Sequence, residues 1–294
     1  MKHLADKEIA NKEITNQQIA NKLFINTVCL SGTTQEKLRA AHAAGFDQVE
    51  LWRQDVEATD GDCGGIKDLL AALPIALTDY QVLLDFDGAP DSLREDKRQE
   101  AIQMLDTAVK LGATTVLTPA CTHKDCVKER VEDDLRWLVN EAAQRGLRIA
   151  YEGMAWSTAI NNTADAWQLV QRINAPNLGL VVDAFHIFVR HRTVKDLEGI
   201  PMDKIFLVQL SDLAEEPTAD HLVDTARHSR LLPGEGKFPL DTLMQYLQQH
   251  GYAGPIGLEV FNDELKQQDA TKVARKAMQA LKATCYQHED QTSR

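Results

Sequence analysis

Short apolar segments alternate with longer amphipathic segments over most of the chain. The short segments are rich in β-branched residues, which fits strands that are covered on both faces in a parallel sheet. The longer segments place apolar residues three or four positions apart, as on the buried face of a helix. At residues 98–111, for example, Ile102, Leu105 and Val109 fall on one face. The pattern therefore predicts repeated βα units.

Eight strands are predicted, at residues 23–30, 48–52, 81–85, 115–117, 148–152, 179–183, 205–210 and 256–261. Helical patterns lie between them, including 98–111 and 131–144, and a last helix is expected at 269–283. Glycines follow several helical segments where C-terminal caps belong, at Gly45, Gly112, Gly146 and Gly251. Eight βα repeats without a compositional break predict an α/β fold, a single (β/α)8 TIM barrel. The barrel domain is expected at residues 23–285, between polar tails at 1–22 and 286–294.

The charge of the chain favours a small-molecule role. The net charge is −12 and the calculated pI is 5.2, a poor match for nucleic acid or an anionic membrane surface. No apolar stretch approaches the 18 residues or so of a membrane-spanning helix, and the N-terminus lacks an apolar signal core. Five cysteines, an odd number, are interpreted as reduced thiols. We therefore expect a cytoplasmic protein with a small-molecule substrate, and a homo-oligomer is left open.

Oxygen-bearing side chains end four consecutive predicted strands. They are Glu152, Asp183, Gln209 and Glu259. In a (β/α)8 barrel the carboxyl ends of the strands meet at one face, where the chemistry is found. Three acids buried together would repel one another unless a cation lay among them. The set is rich in hard oxygen ligands, so it favours Mg²⁺, Mn²⁺ or Co²⁺ over a structural zinc. The alternative is that each acid pairs separately with an Arg or Lys at the barrel mouth.

His186 follows Asp183 by three residues and is expected to face the same site. Its intrinsic pKa near neutrality suits a residue that exchanges protons with a substrate. The alternative is that His186 forms a hydrogen bond to a metal ligand. Trp156 is a candidate for the wall of the pocket, although aromatic residues of this kind more often lie in the core.

Several segments together resemble a known superfamily. They are residues 151–156, 182–186, 206–212, 233–236 and 258–263. They resemble the xylose isomerase-like barrel superfamily, and within it they are most similar to bacterial 3-dehydroshikimate dehydratases. Gln209 favours these dehydratases, because sugar epimerases of the superfamily usually have a His at that position.

The resemblance implies a metal-dependent lyase that dehydrates 3-dehydroshikimate, or a close cyclic hydroxy-ketone, to protocatechuate through an enolate. It implies a divalent metal held by the residues matching Glu152, Asp183, Gln209 and Glu259, and an acid/base histidine matching His186. It also implies contacts to the substrate carboxylate from a basic segment that includes Arg227, His228 and Arg230. Glu152 and Glu259 are further catalytic candidates.

Two positions depart from the dehydratase pattern. Leu84 stands where the related dehydratases have an Arg, and Ala226 stands where they have a Ser. Arg53 is a candidate to replace the missing cation. The departures favour the alternative of a sugar or inosose isomerase or epimerase, with the same metal and with Glu152 and Glu259 as acid/base groups. A repair endonuclease would need a His-rich site and a basic face, which are not evident, and an intact ligand set argues against a barrel kept only for binding.

Overall fold

The computed structural model describes residues 21–286. Eight parallel strands form a closed barrel in chain order. They are β1 (Leu23–Asn26), β2 (Gln48–Trp52), β3 (Ala76–Gln81), β4 (Thr115–Pro119), β5 (Arg148–Glu152), β6 (Leu178–Asp183), β7 (Ile205–Leu210) and β8 (Ile256–Leu258). The predicted polar tails lie outside the described residues, apart from Asn21, Lys22 and Tyr286.

At least one α-helix follows each strand. The helices are α1 (Thr34–Ala44), α2 (Arg53–Glu57), α3 (Cys63–Ala72), α4 (Asp91–Leu111), α5 (Val131–Gln144), α6 (Thr163–Ile173), α7 (Ala184–Phe188), α8 (Leu222–His228), α9 (Leu240–Gln249) and α10 (Ala270–Tyr286). The strand order and this alternation confirm the predicted (β/α)8 barrel. No helix in the described part of the chain is both long and apolar enough to cross a membrane.

Local sequence signals explain where α1 begins and ends. Thr33 accepts a hydrogen bond from the backbone of Glu36, and the Glu36 side chain accepts one from the Thr33 backbone, which forms a capping box. Gly45 ends the helix with φ 88°, a left-handed conformation that glycine adopts without steric cost. Gly112 ends α4 in the same way, with φ 78°.

The third strand was predicted in the wrong place. It runs over Ala76–Gln81, whereas the apolar segment at 81–85 suggested a strand there. Val82 and Leu83 are buried after the strand has ended, and Val82 belongs to the buried apolar cluster that includes Phe24 and Leu117. The first strand is also shorter than predicted, because Asn26 caps a 3-10 helix at Thr27–Cys29.

The lower part of the barrel interior is apolar. Phe24, Leu117, Ala150 and Val181 belong to one buried cluster there, together with Phe206 and Leu207. Two glycines make room for the aromatic rings. A Cβ at Gly257 would lie 2.2 Å from the Phe24 ring, and one at Gly179 would lie 2.5 Å from the Phe206 ring. Because this apolar cluster fills the lower part of the interior, the polar side chains of the interior lie above it, towards the carboxyl ends of the strands.

Candidate metal and substrate site

Seven strands, or the residue just after them, contribute buried polar side chains to one layer inside the barrel. These side chains are Asn26, Glu50, Asp79, Glu152, Asp183, Gln209 and Glu259, none more than 6% exposed. Five of them are acids, and burial without compensation would be very costly for so many negative charges.

The four predicted metal ligands are linked by short contacts. Carboxylate oxygens of Glu152 and Asp183 lie within 4.8 Å of each other and of a His186 ring nitrogen. Gln209 Nε2 lies 3.4 Å from Glu259 Oε1. Arg230 links these two pairs, because its Nη1 donates to Asp183 Oδ2 at 2.9 Å and to Glu259 Oε2 at 3.3 Å.

The donor set fits a divalent cation. Glu152 Oε1 and Gln209 Oε1 are buried and have no hydrogen-bond partner among the described residues. Burial, Glu259 and Asp183 raise the pKa of Glu152 well above its usual range. Burial also raises the pKa of Glu259 to about 7, although Arg230 opposes that rise. Three carboxylates and an amide oxygen are the hard ligands that Mg²⁺ and Mn²⁺ prefer, and such an ion would compensate the buried charge.

His186 is neutral and oriented by the backbone. Its Nδ1 accepts a hydrogen bond from the Ala155 N–H at 3.1 Å. The proton of the neutral ring must therefore be on Nε2, which faces Glu152 Oε1 and Asp183 Oδ2, each at 3.6 Å. Burial lowers the pKa of His186 to about 4. The half-buried Trp156 ring contacts the imidazole edge-on, with 5.1 Å between centroids. In this arrangement the Nε2–H of His186 faces the two acids without forming a hydrogen bond to either.

The basic segment divides into a buried and an exposed part. Arg230 is 2% exposed, and its guanidinium lies over the Phe185 ring at 4.3 Å and the Phe261 ring at 5.2 Å. Arg227 and His228 are exposed, and His228 Nδ1 lies 3.0 Å from Asp263 Oδ2. Arg230 thus contacts two predicted metal ligands, whereas the other two side chains lie at the surface.

The positions linked to the departures add no ion pair to the acid layer among the described residues. Arg53 forms ion pairs with Glu57 and Glu100, and it has no ion pair with the predicted ligands in the described part of the chain. Leu84 is 40% exposed, in the loop after β3. Ala226 is buried in a small apolar cluster with Phe185. None of these positions brings a second cation to the acid layer.

The family follows from a comparison of the whole sequence with known families. The profile described as xylose isomerase-like TIM barrel matches residues 38–284. The chain belongs to the xylose isomerase-like TIM barrel family. This confirms the superfamily that the sequence motifs predicted.

Curated relatives of this family member include dehydratases and isomerases. The 3-dehydroshikimate dehydratase of Pseudomonas aeruginosa is 36% identical over 90% of the chain, and that of Pseudomonas putida is 34% identical over the same share. The chain spans only 41% of the length of each of these two proteins. The inosose isomerase of Halalkalibacterium halodurans is 25% identical, over 79% of the chain and 84% of that protein.

Solved structures share the fold of the family. A fusion protein of a xylose isomerase-like TIM barrel and 4-hydroxyphenylpyruvate dioxygenase matches with a TM-score of 0.84 and 32% identity, over 90% of this chain and 43% of that one. The IolI protein, solved with a bound zinc atom, matches with a TM-score of 0.81 and 21% identity, over 92% and 99% of the two chains.

Sequence reasoning missed three members of the polar layer, Asn26, Glu50 and Asp79. Glu50 Oε1 accepts a hydrogen bond from Gln209 Nε2 at 2.9 Å, and Asn26 Nδ2 donates to Glu259 Oε1 at 3.1 Å. Burial raises the pKa of Asp79 to about 8. Burial also raises the pKa of Glu50, and the negative charge of the neighbouring Asp79 adds to that rise. An acid within an otherwise apolar strand was the available signal for Glu50. Asp79 was missed because the third strand was misplaced.

Proposed function

We propose that the chain is a divalent-metal-dependent lyase that dehydrates 3-dehydroshikimate, or a close cyclic hydroxy-ketone, to protocatechuate. The observation that supports it best is the buried set of three carboxylates and one amide oxygen at the strand ends. The substrate is proposed from the 36% and 34% identity to two 3-dehydroshikimate dehydratases.

In this proposal Glu152, Asp183, Gln209 and Glu259 hold Mg²⁺, Mn²⁺ or Co²⁺. When bound, the ion would supply a Lewis acid that stabilises negative charge developing on the substrate ketone oxygen. The orphaned oxygens of Glu152 and Gln209 support this assignment, because a buried acceptor without a partner is otherwise costly.

Two side chains lie where they can act in the proton transfers. Oε1 of Glu152 is assigned to the metal, so we propose that the other oxygen of the same carboxylate accepts the proton from the carbon beside the ketone. His186 has its N–H on Nε2, and we propose that it donates a hydrogen bond to the departing hydroxyl, which leaves as water with the proton that Glu152 took from the carbon. Glu259 stays a candidate for a second acid/base group.

The substrate carboxylate needs a cation at the rim of the site. Because Arg230 is buried against Asp183 and Glu259, we propose that the exposed Arg227, with His228, contacts the carboxylate. The planar guanidinium can orient a carboxylate through two parallel hydrogen bonds. Trp156 would form a wall beside His186. The ion pairs of Arg53 with Glu57 and Glu100 argue against a substrate contact there.

The test is formation of protocatechuate from 3-dehydroshikimate, followed by its ultraviolet absorbance. Chelator-treated protein should be inactive, and added Mn²⁺ should restore activity. Glu152→Gln should reduce kcat at least ~100-fold, as expected for loss of a general base. Asp106→Asn, which changes an exposed acid outside the barrel interior, is a control that should leave the rate unchanged. Absence of product with metal-loaded protein would contradict the dehydratase proposal.

An inosose isomerase is the second candidate. The inosose isomerases of Halalkalibacterium halodurans and Bacillus subtilis are 25% and 28% identical and match along 84% and 74% of their own length. Leu84 and Ala226, which depart from the dehydratase pattern, also favour it. Here Glu152 and Glu259 would exchange protons at neighbouring carbons. Turnover of an inosose in deuterated water, with deuterium incorporated and no protocatechuate formed from 3-dehydroshikimate, would favour this candidate.

A further inference from the structure

The side-chain amide of Gln209 has two chemically different ends, and only one of them can bind a metal. Its Nε2 donates to Glu50 Oε1 at 2.9 Å and lies 3.4 Å from Glu259 Oε1. Its Oε1 is buried and has no hydrogen-bond partner among the described residues. The amide oxygen is therefore the end that is available to a cation.

The opposite orientation of the amide would be unfavourable. A rotation by half a turn would put Oε1 where Nε2 now donates to Glu50 Oε1, and that 2.9 Å hydrogen bond from Nε2 would be lost. It would also turn Nε2, a donor that cannot bind a cation, towards the predicted metal. Glu50 provides the shorter of the two contacts to Nε2, and it is completely buried in the barrel interior.

We propose that Glu50 is a positioning residue that fixes the Gln209 amide with its oxygen towards the metal. This rests on the proposed metal site, in which Glu50 is not one of the four ligands. A neutral amide ligand needs such a partner more than a carboxylate does, because both ends of a carboxylate are oxygens. Partners that orient metal ligands typically change metal affinity 10–100-fold when they are removed.

The first experiment measures Mn²⁺ affinity by isothermal titration calorimetry on the full chain, with circular dichroism to confirm folding. Glu50→Leu should weaken Mn²⁺ binding by about 10–100-fold. Glu50→Gln should weaken Mn²⁺ binding less than Glu50→Leu does, because one end of the new amide can still accept from Gln209 Nε2 while its other end can hold the reverse orientation. If Glu50→Leu does not fold, Glu50→Ala, which leaves room for water, replaces it. Asp87→Asn is a matched control. Asp87 is equally buried, but it accepts hydrogen bonds from the Tyr151 hydroxyl and the Cys121 backbone N–H and none from Gln209.

A second experiment separates orientation from general damage. In a Gln209→Glu background the ligand has no wrong end, so Glu50→Leu should no longer weaken Mn²⁺ binding. An equal loss in both backgrounds, or a folded Glu50→Leu protein that binds Mn²⁺ as wild type does, would overturn the role of Glu50. If wild type itself binds no Mn²⁺, Co²⁺ or Mg²⁺, the proposed metal site fails, and the role of Glu50 fails with it.

Discussion

Arg230 is the cation in contact with the acid layer, so its removal tests how that layer is stabilised. Its Nη1 lies 2.9 Å from Asp183 Oδ2 and 3.3 Å from Glu259 Oε2. In the described part of the chain no other Arg or Lys forms an ion pair with these two acids. Arg230→Met retains an apolar chain against the rings of Phe185 and Phe261 but removes the charge.

The expected effect is large, because the arginine is 2% exposed. Removing one partner of a buried ion pair typically costs about 3–5 kcal/mol, since the other charge is left uncompensated. For a domain of 150–250 residues, 1 kcal/mol lowers Tm by about 2–4 °C. We therefore expect metal-free Arg230→Met to melt on the order of 10 °C below wild type. A divalent cation would restore positive charge beside the same acids, so Mn²⁺ should stabilise the variant more than wild type.

The assay is thermal unfolding of chelator-treated protein, with and without saturating Mn²⁺. Arg148→Met is a matched control, because Arg148 also lies over an aromatic ring, 4.2 Å from the Phe206 centroid, and no acid pairs with it in the described residues. This control should show little dependence on Mn²⁺. Metal-free Arg230→Met that melts within about 2 °C of wild type would refute the reasoning, since that shift corresponds to no more than about 1 kcal/mol. An equal Mn²⁺ effect on both proteins would show that the metal and the arginine do not compensate the same charges.

Three further outcomes are expected. Burial raises the pKa of Asp87 from 3.8 to about 7, so the folded protein binds this proton more tightly than the unfolded chain does. The resulting stabilisation of the folded state is complete below pH 3.8 and is lost as the pH rises through about 7. Asp87→Asn should remove that part of the dependence of Tm on pH, and an unchanged profile would be inconsistent with it. Gly257→Ala should lower the free energy of unfolding in urea by roughly 1–3 kcal/mol through contact with Phe24, whereas Gly64→Ala, where the nearest atom is 3.7 Å away, should cost nothing; equal effects would argue against the contact. Arg227→Leu should raise KM for 3-dehydroshikimate about 10-fold or more with a smaller change in kcat, as expected for a lost carboxylate contact, and an unchanged KM would exclude it.

Strands that are buried on both faces were predictable because their apolar runs have sharp ends. The fifth and seventh strands have the predicted bounds, Arg148–Glu152 and Ile205–Leu210. The bounds of the third strand were not predictable in this way. Asp79 interrupts its apolar pattern, and Val82 and Leu83 continue the apolar pattern beyond its end. One layer of the barrel interior is polar. An acid that points into this layer breaks the apolar pattern of its strand, so the pattern alone predicts a loop there.

The strand-end acids were predictable, but their partners were not. Glu152, Asp183 and Glu259 each follow an apolar run, so their location at one rim follows from the fold. The contact of Arg230 with Asp183 joins residues 47 positions apart, and that of Gln209 with Glu50 joins residues 159 apart. Such pairs depend on the closure of the barrel and on side-chain direction, which no local pattern specifies.

The most direct test of the central claim, that four side chains share one divalent cation, is calorimetric titration of chelator-treated protein with Mn²⁺. We expect one Mn²⁺ per chain in wild type. Each of four single substitutions should weaken binding at least ~10-fold. Glu152→Gln, Asp183→Asn and Glu259→Gln each remove the negative charge of a carboxylate ligand, and Gln209→Leu removes the ligand itself. No binding to wild type, or wild-type affinity retained in folded variants of the set, would contradict the shared site.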